Sequence, residues 1–334
     1  MPKIFKVGGE RILPGETKIV NIHIASLYDY TELNMPVKVI RSKEPGPKLF
    51  ISAAIHGDEI NGVEVIRRLL KKKVIKKIKG TLIVVPIVNV FGFNNKSRYL
   101  PDRRDLNRSF PGSKEGSLAS RLAHCFMTEV VANCTHGIDM HTGAQNRYNL
   151  PQIRACLDDQ QTKELSLAFG VPVVLDSKLR DSSLREAALK KKKTILLYEG
   201  GEALRFNEEA IRRGVDGCLR VMSKIGMLPE NAEKPQKGHL AYISRVTKWV
   251  RAPHSGLVRM VKKTGDSVRE GEKVGFVYGP LDRQEYPILS DVSGVIIGLS
   301  TIPLVNQGDA IFHVATFTDS AKVKRAIERL DLDY

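Results

Sequence analysis

Short apolar runs alternate with helical stretches through the first two thirds of the chain. The apolar runs predict strands at residues 48–55, 81–88, 136–140, 152–157, 171–175 and 194–199. The stretches between them predict helices at 58–72, 117–132, 159–169, 182–190 and 203–225, with Ser117 and Ser182 as N-cap residues. Nearly continuous apolar strands that alternate with helices are typical of parallel sheets covered on both faces. The pattern therefore predicts a mixed, largely parallel α/β sheet flanked by helices, with extended segments in 15–42 at one edge.

The pattern of apolar and polar positions changes after residue 226. Residues 227–238 are mostly polar and contain prolines, which indicates a linker. Residues 239–318 consist of short apolar runs separated by Gly, Pro and Asp, the pattern of a smaller all-β domain. We therefore expect an α/β domain over 1–226, a linker, an all-β domain and a C-terminal tail over 319–334.

Two segments of the expected all-β domain look alike. Residues 252–277 and 289–314 each carry a Ser-Gly step, followed by apolar runs and by Gly-Asp or Gly-Glu turns. This arrangement resembles the paired half-motifs of lipoyl and biotinyl domains. The segment between the halves, YGPLDRQEYP, has no lysine that could carry such a cofactor. We therefore expect a structural domain that covers the functional site.

The composition is typical of a globular protein. Hydrophobic residues make up 42% and charged residues 27% of the 334 residues, and no apolar run is long enough to span a membrane. The first residues, MPKIFKVGGERILPG, lack the apolar core of a signal peptide, so we expect a cytoplasmic protein. The four cysteines lie far apart and form no Cys-x-x-Cys pair, which predicts reduced thiols rather than disulfides or a thiolate metal site.

The formal net charge of +16 is the unusual bulk property. Such a charge can mark a nucleic-acid-binding protein, because Lys and Arg make most phosphate contacts. Here the densest basic runs, 71–79 and 190–193, follow predicted helices, where cations are favourable. Only 6% of the residues are aromatic and available for stacking on bases. We therefore interpret the charge as a solvated surface, with which attraction of anionic substrates is compatible, and expect no nucleic-acid partner.

Three of the predicted strands end in a residue that can bind metal or transfer a proton. The strand at 48–55 continues into His56-Gly-Asp-Glu59, and Gly57 allows a tight turn there. The strand at 136–140 is followed by His141, and the strand at 194–199 ends in Glu199. Ligands of open α/β sheets bind beyond the carboxyl ends of the strands, so these side chains can converge. His56, Glu59 and His141 would leave a fourth position open for water, the pattern of catalytic zinc. Glu199 would then act as the general base.

A long loop after the second predicted strand supplies further polar side chains. Residues 89–112 contain Arg98, Arg103, Arg104, Asn107 and Arg108, and loops of this length are usually functional or disordered. An Asn-Arg pair can bind a carboxylate, because the guanidinium donates in a bidentate fork. Another arginine near the metal can stabilise the oxyanion of a tetrahedral intermediate. A solvated basic loop is the alternative interpretation.

Together these motifs resemble the succinylglutamate desuccinylase/aspartoacylase family, a branch of the zinc carboxypeptidase (M14) fold. The resemblance covers residues 45–317 and rests on His56-x-x-Glu59, Asp105-Leu-Asn107-Arg108, Asp139-Met-His141-Thr-Gly and Glu199, in that order. It implies one zinc per chain, bound by His56, Glu59 and His141, and Glu199 as the general base. It also implies that Asn107 and Arg108 bind the substrate carboxylate.

The resemblance also implies roles for two further arginines. The family's Arg-Tyr step before the Asn-Arg pair matches Arg98-Tyr99, which implies that Arg98 supports the oxyanion. Because this chain has two extra residues there, Arg104 is the alternative. A second family arginine, on a helix before the catalytic Glu, matches Arg185 in SSLREAA and would bind substrate.

The residues and the resemblance predict a zinc-dependent amidohydrolase that cleaves a small N-acyl amino acid of acetyl or succinyl type. A zinc carboxypeptidase acting on short peptides is the alternative, although the family's all-β domain narrows access to the cleft. A nucleic-acid-binding protein would leave the residues at the three strand ends unexplained, and a protein without catalysis would not need Glu199. We expect a small-molecule substrate and no membrane association, and a homo-oligomer is compatible with the sequence.

Overall fold

The computed structural model of the protein describes residues 5–229, 240–281 and 284–332. Within these ranges the helices are α1 (Asn61–Lys71), α2 (Val90–Asn94), α3 (Leu118–Glu129), α4 (Gln160–Ala168), α5 (Leu184–Lys190), α6 (Glu208–Lys224) and α7 (Ser320–Leu332). The strands are β1 (Lys6–Val7), β2 (Glu10–Arg11), β3 (Thr17–Ser26), β4 (Glu32–Arg41), β5 (Lys48–Ala53), β6 (Thr81–Val85), β7 (His136–Gly143), β8 (Arg147–Ala155), β9 (Val173–Asp176), β10 (Thr194–Glu202), β11 (Tyr242–Ser244), β12 (Thr247–Arg251), β13 (Gly256–Met260), β14 (Ser267–Val268), β15 (Lys273–Tyr278), β16 (Tyr286–Leu289), β17 (Gly294–Ser300), β18 (Leu304–Val305) and β19 (Ala310–Ala315). None of the described helices has the length and apolar character needed to cross a membrane.

One large sheet organises the molecule. Its strands lie in the order β12-β19-β17-β8-β10-β7-β5-β6-β4-β3, and β9 pairs with the C-terminal half of β8. Strands β10, β7, β5 and β6 are parallel neighbours, whereas β8 pairs antiparallel with β10, and β4 with β6. The extended segments predicted within 15–42 are β3 and β4, and β3 forms the edge. The fold is therefore a mixed, largely parallel α/β sheet, as predicted.

Apolar side chains cover both faces of the parallel strands. Successive residues of β5 point to opposite sides, so that Phe50 joins the core under α3 and α5. Leu49 and Ile51 join the core under α1, α4 and α6. This two-sided burial explains the nearly continuous apolar composition of the strands. Each strand predicted between 48 and 199 and each helix predicted between 58 and 225 is present, with ends that differ by a few residues.

The two predicted N-caps have different outcomes. Ser117 caps α3 as predicted, since its side chain accepts a hydrogen bond from the Ser120 N–H. The prediction for Ser182 is wrong, because Ser183 caps α5 by accepting from the Glu186 N–H. Ser182 has a left-handed φ of 56°, and its N–H donates to the Glu186 carboxylate at 2.7 Å. The helix begins one residue later than expected, and this moves the cap to the second serine.

The C-terminal β region consists of two packed sheets. Strands β16-β15-β13-β18 form a separate sheet, whereas β12, β19, β17 and β14 extend the large one. The two look-alike segments exchange short strands, since β14 pairs with β17 and β18 pairs with β13. Apolar residues of both sheets, including Val277 and Phe312, form the core between them. Because β17 also pairs with β8, a continuous sheet joins this region to the α/β part.

The segment expected to be a linker is described only at its start. Met227 and Leu228 are buried in the core under α1, α4 and α6. Residues 230–238 of the expected linker lie outside the described residues. After residue 240, β11 pairs in parallel with β9, so this segment adds a strand to the α/β part. The C-terminal sheets begin after this strand, at β12.

Candidate metal centre and substrate pocket

The parallel register brings the ends of three strands to one edge of the sheet. In the order β10-β7-β5, Glu199 is the register partner of His141, and Ala53 is that of Met140. His56 follows the last residue of β5 by three positions. The side chains that follow these strands therefore meet beyond the same edge, where ligands of open α/β sheets bind.

His56 and Glu59 lie on the turn between β5 and α1. The turn begins at Ala54, whose φ of 52° is left-handed. The φ of Gly57 lies outside the left-handed region, so this glycine is not required for its conformation. A Cβ at Gly57 would instead lie 2.0 Å from the carbonyl carbon of Gly92. We expected Gly57 to allow a tight turn. It is needed instead because the turn packs directly on the backbone of α2 and leaves no space for a Cβ atom.

His56, Glu59 and His141 form a buried group of possible metal ligands. Their ligand atoms all lie within 4.8 Å of one another. The Nδ1 atoms of the two histidines are 3.2 Å apart, and each lies 2.7 Å from an oxygen of Glu59. Two ligands held about 2.0–2.1 Å from a tetrahedral zinc ion are about 3.3 Å apart, so the donor set and its spacing fit zinc.

Both histidines hold their second ring nitrogen against a carboxylate. His141 Nε2 lies 2.7 Å from Asp139 Oδ2, and His56 Nε2 lies 3.1 Å from Asp105 Oδ1. Ser52 holds Asp139 in turn, because its hydroxyl donates to the other carboxylate oxygen at 2.8 Å. Carboxylate partners of this kind orient metal-binding histidines and leave the opposite nitrogen, here Nδ1, as the ligand atom.

Burial and charge act in opposite directions on Glu59. Its residue is 2% exposed, and burial alone would raise the pKa of its carboxyl group. The adjacent His56 and His141 outweigh burial and hold the pKa of Glu59 well below its usual range. Glu59 is therefore ionised at neutral pH, which is the form that binds a metal ion.

Arg98 lies beside this group, and Arg104 does not. Arg98 Nη1 donates to Glu59 Oε1 at 3.2 Å, and its Nη2 donates to Asp105 Oδ2 at 3.0 Å. The Arg104 side chain is 64% exposed and pairs with Asp102 at 3.8 Å. Arg98 lines the cavity in front of the three ligands, and Arg104 does not. Of the two candidates, Arg98 is the one that can contact a group bound there.

A cavity of about 210 Å³ opens beside the three ligands. Asn107 and Arg108 line it, and Asn107 is fixed because its Oδ1 accepts from the Leu184 N–H at 3.0 Å. Arg108 Nη1 donates to the carbonyl oxygen of Asn107. Arg185 also lines the cavity and donates to the Ser177 hydroxyl at 3.0 Å. The residues expected to bind substrate therefore share one cavity with the possible metal ligands.

The cavity is rich in cationic side chains. Its lining includes more arginines than acidic residues, namely Arg98, Arg108, Arg147, Arg154, Arg180 and Arg185 against Glu59, Asp139 and Glu199. Arg98 and Arg154 have carboxylate partners. Within the described part of the chain, the other four arginines form no salt bridge. Burial, together with Arg154, lowers the pKa of Arg185 to about 10, as expected for a cation without a matching anion.

Glu199 has one hydrogen-bond donor and one cationic neighbour on β8. The side-chain amide of Asn149 donates to its Oε2, and Arg154 Nε lies 3.4 Å from its Oε1. Both β8 residues face the cavity because the register between β8 and β10 shifts between Glu199 and Gly201. The side chain of Glu199 is 14% exposed and lines the cavity. Glu199 is therefore oriented beside the three ligands without belonging to their group.

The C-terminal β region contributes Trp249 to the cavity wall. The indole stacks on His313 with ring centroids 4.5 Å apart and ring planes at 5°. The guanidinium of Arg147 lies over the same indole, 5.0 Å from the Trp249 centroid. Burial, together with Arg154 and Arg147, lowers the pKa of His313 to about 3, so the ring behind Trp249 is neutral.

The polar residues of β8 were not predicted from the sequence. Arg147 and Asn149 are two residues apart and share a face by ordinary alternation, whereas Arg154, five residues beyond Asn149, would lie on the opposite face of a regular strand. Arg154 reaches the same face because of the register shift, which the sequence does not indicate. Trp249 had a weak signal, since it is the single tryptophan of the chain, but the sequence does not indicate which cavity it lines.

Comparisons with known proteins agree on one family. The catalytic-domain model of the succinylglutamate desuccinylase/aspartoacylase family matches residues 45–225, more than half of the chain. The chain is 26% identical over 301 residues to the N-alpha-acetyl-L-2,4-diaminobutyric acid deacetylase of Halomonas elongata, and the match covers 86% of each protein.

Solved structures support the same assignment. The succinylglutamate desuccinylase/aspartoacylase of Rhodobacter sphaeroides is 25% identical, with a TM-score of 0.80 over 90% of this chain and 95% of that one. The product-bound ectoine utilization protein EutE (DoeB) of Ruegeria pomeroyi is 22% identical, with a TM-score of 0.80 over 91% and 97%, and shows the same fold. The chain therefore belongs to the succinylglutamate desuccinylase/aspartoacylase family of deacylases.

Proposed function

We propose that the protein is a zinc-dependent amidohydrolase that cleaves a small N-acyl amino acid carrying more than one carboxylate. The observation that carries this proposal is a shared cavity. The three possible ligands, Glu199 and several arginines without salt-bridge partners all line one space of about 210 Å³. A polar cavity of this size, with Trp249 in its wall, favours an acyl amino acid over a peptide substrate.

The residues would divide the hydrolysis among them. His56, Glu59 and His141 would hold the metal and leave one coordination position open. Zinc bound there would lower the pKa of water to about 7 and polarise the acyl carbonyl. Glu199 would accept a proton from the attacking water at a carboxylate oxygen and deliver it to the leaving amine. Its position in the cavity, in register with His141 but outside the ligand group, supports this role.

Two sets of donors would bind the substrate. Arg108, with Asn107 beside it, would bind a carboxylate of the substrate, since a guanidinium can donate two parallel hydrogen bonds. Arg98 would donate to the oxyanion that develops on the acyl carbon. Its contact with Glu59 supports this assignment, because it holds the guanidinium at the edge of the ligand group.

The remaining arginines favour a second carboxylate on the substrate. After Arg108 has bound one carboxylate, Arg147, Arg180 and Arg185 still lack an anionic partner among the described residues. A cationic side chain, such as that in the substrate named for the Halomonas relative, would meet uncompensated guanidinium groups. Arg147 and Arg180 are exposed, whereas Arg185 is partly buried and its charge therefore acts most strongly on a bound group. A dianionic or trianionic acyl amino acid is the better match to these cations.

The C-terminal β region would shape the substrate pocket rather than carry a cofactor. Trp249 supports this role, because β12 places its indole on the cavity wall. The Trp249–His313 stack is neutral, whereas Arg147, which lies over the indole, is cationic. The region would therefore close one side of the pocket with Trp249, and the indole would hold Arg147 of β8 in place to bind an anion.

The purified protein is expected to contain about one zinc ion per chain. His56→Ala, Glu59→Ala and His141→Ala should each lose it, because each removes one of three protein ligands. Elemental analysis after gel filtration measures this directly. Glu64→Gln is the matched control, since Glu64 is a buried carboxylate on α1 that pairs with Arg67 and Arg68 instead. Stoichiometric zinc in all three ligand variants would contradict the assignment.

Glu199→Gln is expected to keep the metal and lose most of the activity. The amide cannot accept the proton of water, so kcat should fall by about 10² to 10⁴-fold, with little change in KM. Steady-state kinetics together with zinc analysis separate this effect from loss of the metal. Turnover close to that of the wild type would mean that another group moves the proton.

Arg98→Ala and Arg104→Ala form a matched pair. Arg98→Ala should lower kcat by about 10² to 10³-fold, since an oxyanion contact acts mainly in the transition state. Arg104→Ala should leave kcat and KM close to wild type, because that side chain is mostly exposed and outside the cavity. The opposite result would assign the oxyanion contact to Arg104.

A panel of four N-acyl amino acids tests the substrate class. N-acetyl-L-glutamate and N-succinyl-L-glutamate should be cleaved better than N-acetyl-L-alanine, and N-acetyl-L-2,4-diaminobutyrate should be the poorest substrate. Arg185→Ala should lower kcat/KM for the glutamates by about 10- to 100-fold, the value of a charge-assisted hydrogen bond, and spare N-acetyl-L-alanine. A preference for the diaminobutyrate derivative would refute the dianionic class.

A further inference from the structure

We propose that Gly298, in the C-terminal β region, is a positioning residue for Glu199 and acts through Asn149. This inference rests on the proposed function in one respect, namely that Glu199 moves the proton. It goes further by assigning the C-terminal β region a part in catalysis, beyond closing the pocket. The absence of a side chain at Gly298 leaves the space in which the amide of Asn149 lies.

A row of register partners crosses the large sheet at this level. Gly298 of β17 pairs with Asn149 of β8, and Asn149 pairs with Gly201 of β10. On its other side, Gly298 pairs with His313 of β19. Side chains of register partners in antiparallel strands point to the same face. The side chain of Asn149 therefore lies on the face of the sheet that would also carry a side chain at position 298.

The amide of Asn149 has one possible orientation. Its Nδ2 donates to Glu199 Oε2, so the nitrogen side of the amide faces the carboxylate. The Oδ1 of Asn149 must therefore point away from Glu199, towards β17. A Cβ added at Gly298 would lie 2.7 Å from this Oδ1 atom, closer than carbon and oxygen approach without a hydrogen bond. The same Cβ would lie 3.1 Å from the Tyr148 carbonyl oxygen and 3.6 Å from His313 Cβ.

The easiest relief of such a contact is a movement of the Asn149 amide. The neighbouring atoms at 3.1 and 3.6 Å belong to backbone or to a Cβ atom, which can move little, whereas Oδ1 is the end of a side chain. Asn149 is 7% exposed, so its amide has little free space except towards the cavity that it lines with Glu199. A side chain at position 298 would thus displace the donor that orients Glu199, with Arg154 at 3.4 Å as the remaining partner.

A double-mutant cycle on the zinc-loaded protein tests this inference. Gly298→Ala should lower kcat by about 10- to 100-fold, as expected for a displacement of about 1 Å, with KM unchanged. Asn149→Ala should lower kcat to a similar extent. The double variant should have the kcat of Asn149→Ala alone, because without Oδ1 the added methyl group meets no amide. Multiplicative losses in the double variant would overturn the proposal, since they would show that the two residues act independently.

Gly275→Ala provides the matched control. It adds a Cβ within β15 of the separate C-terminal sheet, 2.9 Å from the Arg259 carbonyl oxygen, far from Asn149 in the strand order. This variant should lower the melting temperature and leave kcat unchanged. If Gly298→Ala alone does not fold, the double variant carries the test. If the double variant folds and has the turnover of Asn149→Ala, the proposal is supported. If neither Gly298→Ala nor the double variant folds, the added Cβ clashes with the Tyr148 backbone instead, and the proposal is overturned.

Crystal structures of the same variants separate this inference from the proposed function. In Gly298→Ala the Asn149 amide and the Glu199 carboxylate should be displaced or disordered, and in the double variant the backbone of β8 should be as in the wild type. An unmoved Glu199 in Gly298→Ala would overturn the inference, whatever the activity. Absence of turnover on all four substrates, or full activity of Glu199→Gln, would instead count against the proposed function.

Discussion

The parallel register of β10, β7 and β5 is the constraint on which the rest of the site depends. It sets His141 level with Glu199, and it ends β5 where the chain can turn back towards His141. Because successive side chains of a strand alternate between faces, a slip of one residue would turn His141 away from Glu199. The register is in turn held by apolar side chains packed on both faces, including Phe50 on one side and Ile51 on the other. The geometry of a polar site is therefore enforced by two apolar cores.

The site buries charged groups and compensates them within a short range. Glu59, His56 and His141 contact one another, while Asp139 and Asp105 bind the outer nitrogens of the histidines. Such groups would be costly to bury singly, but each here has a charged or hydrogen-bonding partner. Four arginines of the cavity have no carboxylate partner among the described residues, and all of them except Arg185 are exposed, namely Arg108, Arg147, Arg180 and Arg185. The contrast separates a part of the site that is complete in the protein from a part that an anionic substrate would complete.

The C-terminal β region is an extension of the catalytic sheet. Strand β17 continues the sheet from β8, so the residues that hold Glu199 lie between the α/β part and the C-terminal part. Trp249 reaches the cavity from the same region through β12. A hydrogen-bonded sheet transmits position more rigidly than a surface contact does, because each strand fixes the register of the next. This continuity is the route by which Gly298 would act on Glu199 through Asn149.

Much of the fold could be predicted from local sequence because the strands are apolar on both faces and the helices separate them. The three possible ligands and Glu199 could be found because each of them follows or ends an apolar run, and strand ends of a parallel sheet meet at one edge. The choice between Arg98 and Arg104 could not be made in this way, because it depends on how a long loop folds back over the ligands.

Only the tertiary structure shows that the polar residues of β8 and Trp249 line the cavity. A register shift between strands brings Asn149 and Arg154 to one face, and it depends on pairing between distant segments. Trp249 enters the cavity because β12, β19 and β17 extend the sheet from β8. The sequence by itself determined which side chains can do chemistry and at which strand ends they lie. Pairing across the sheet determined which of them face one another, because register is a property of two strands and cannot be read from either one alone.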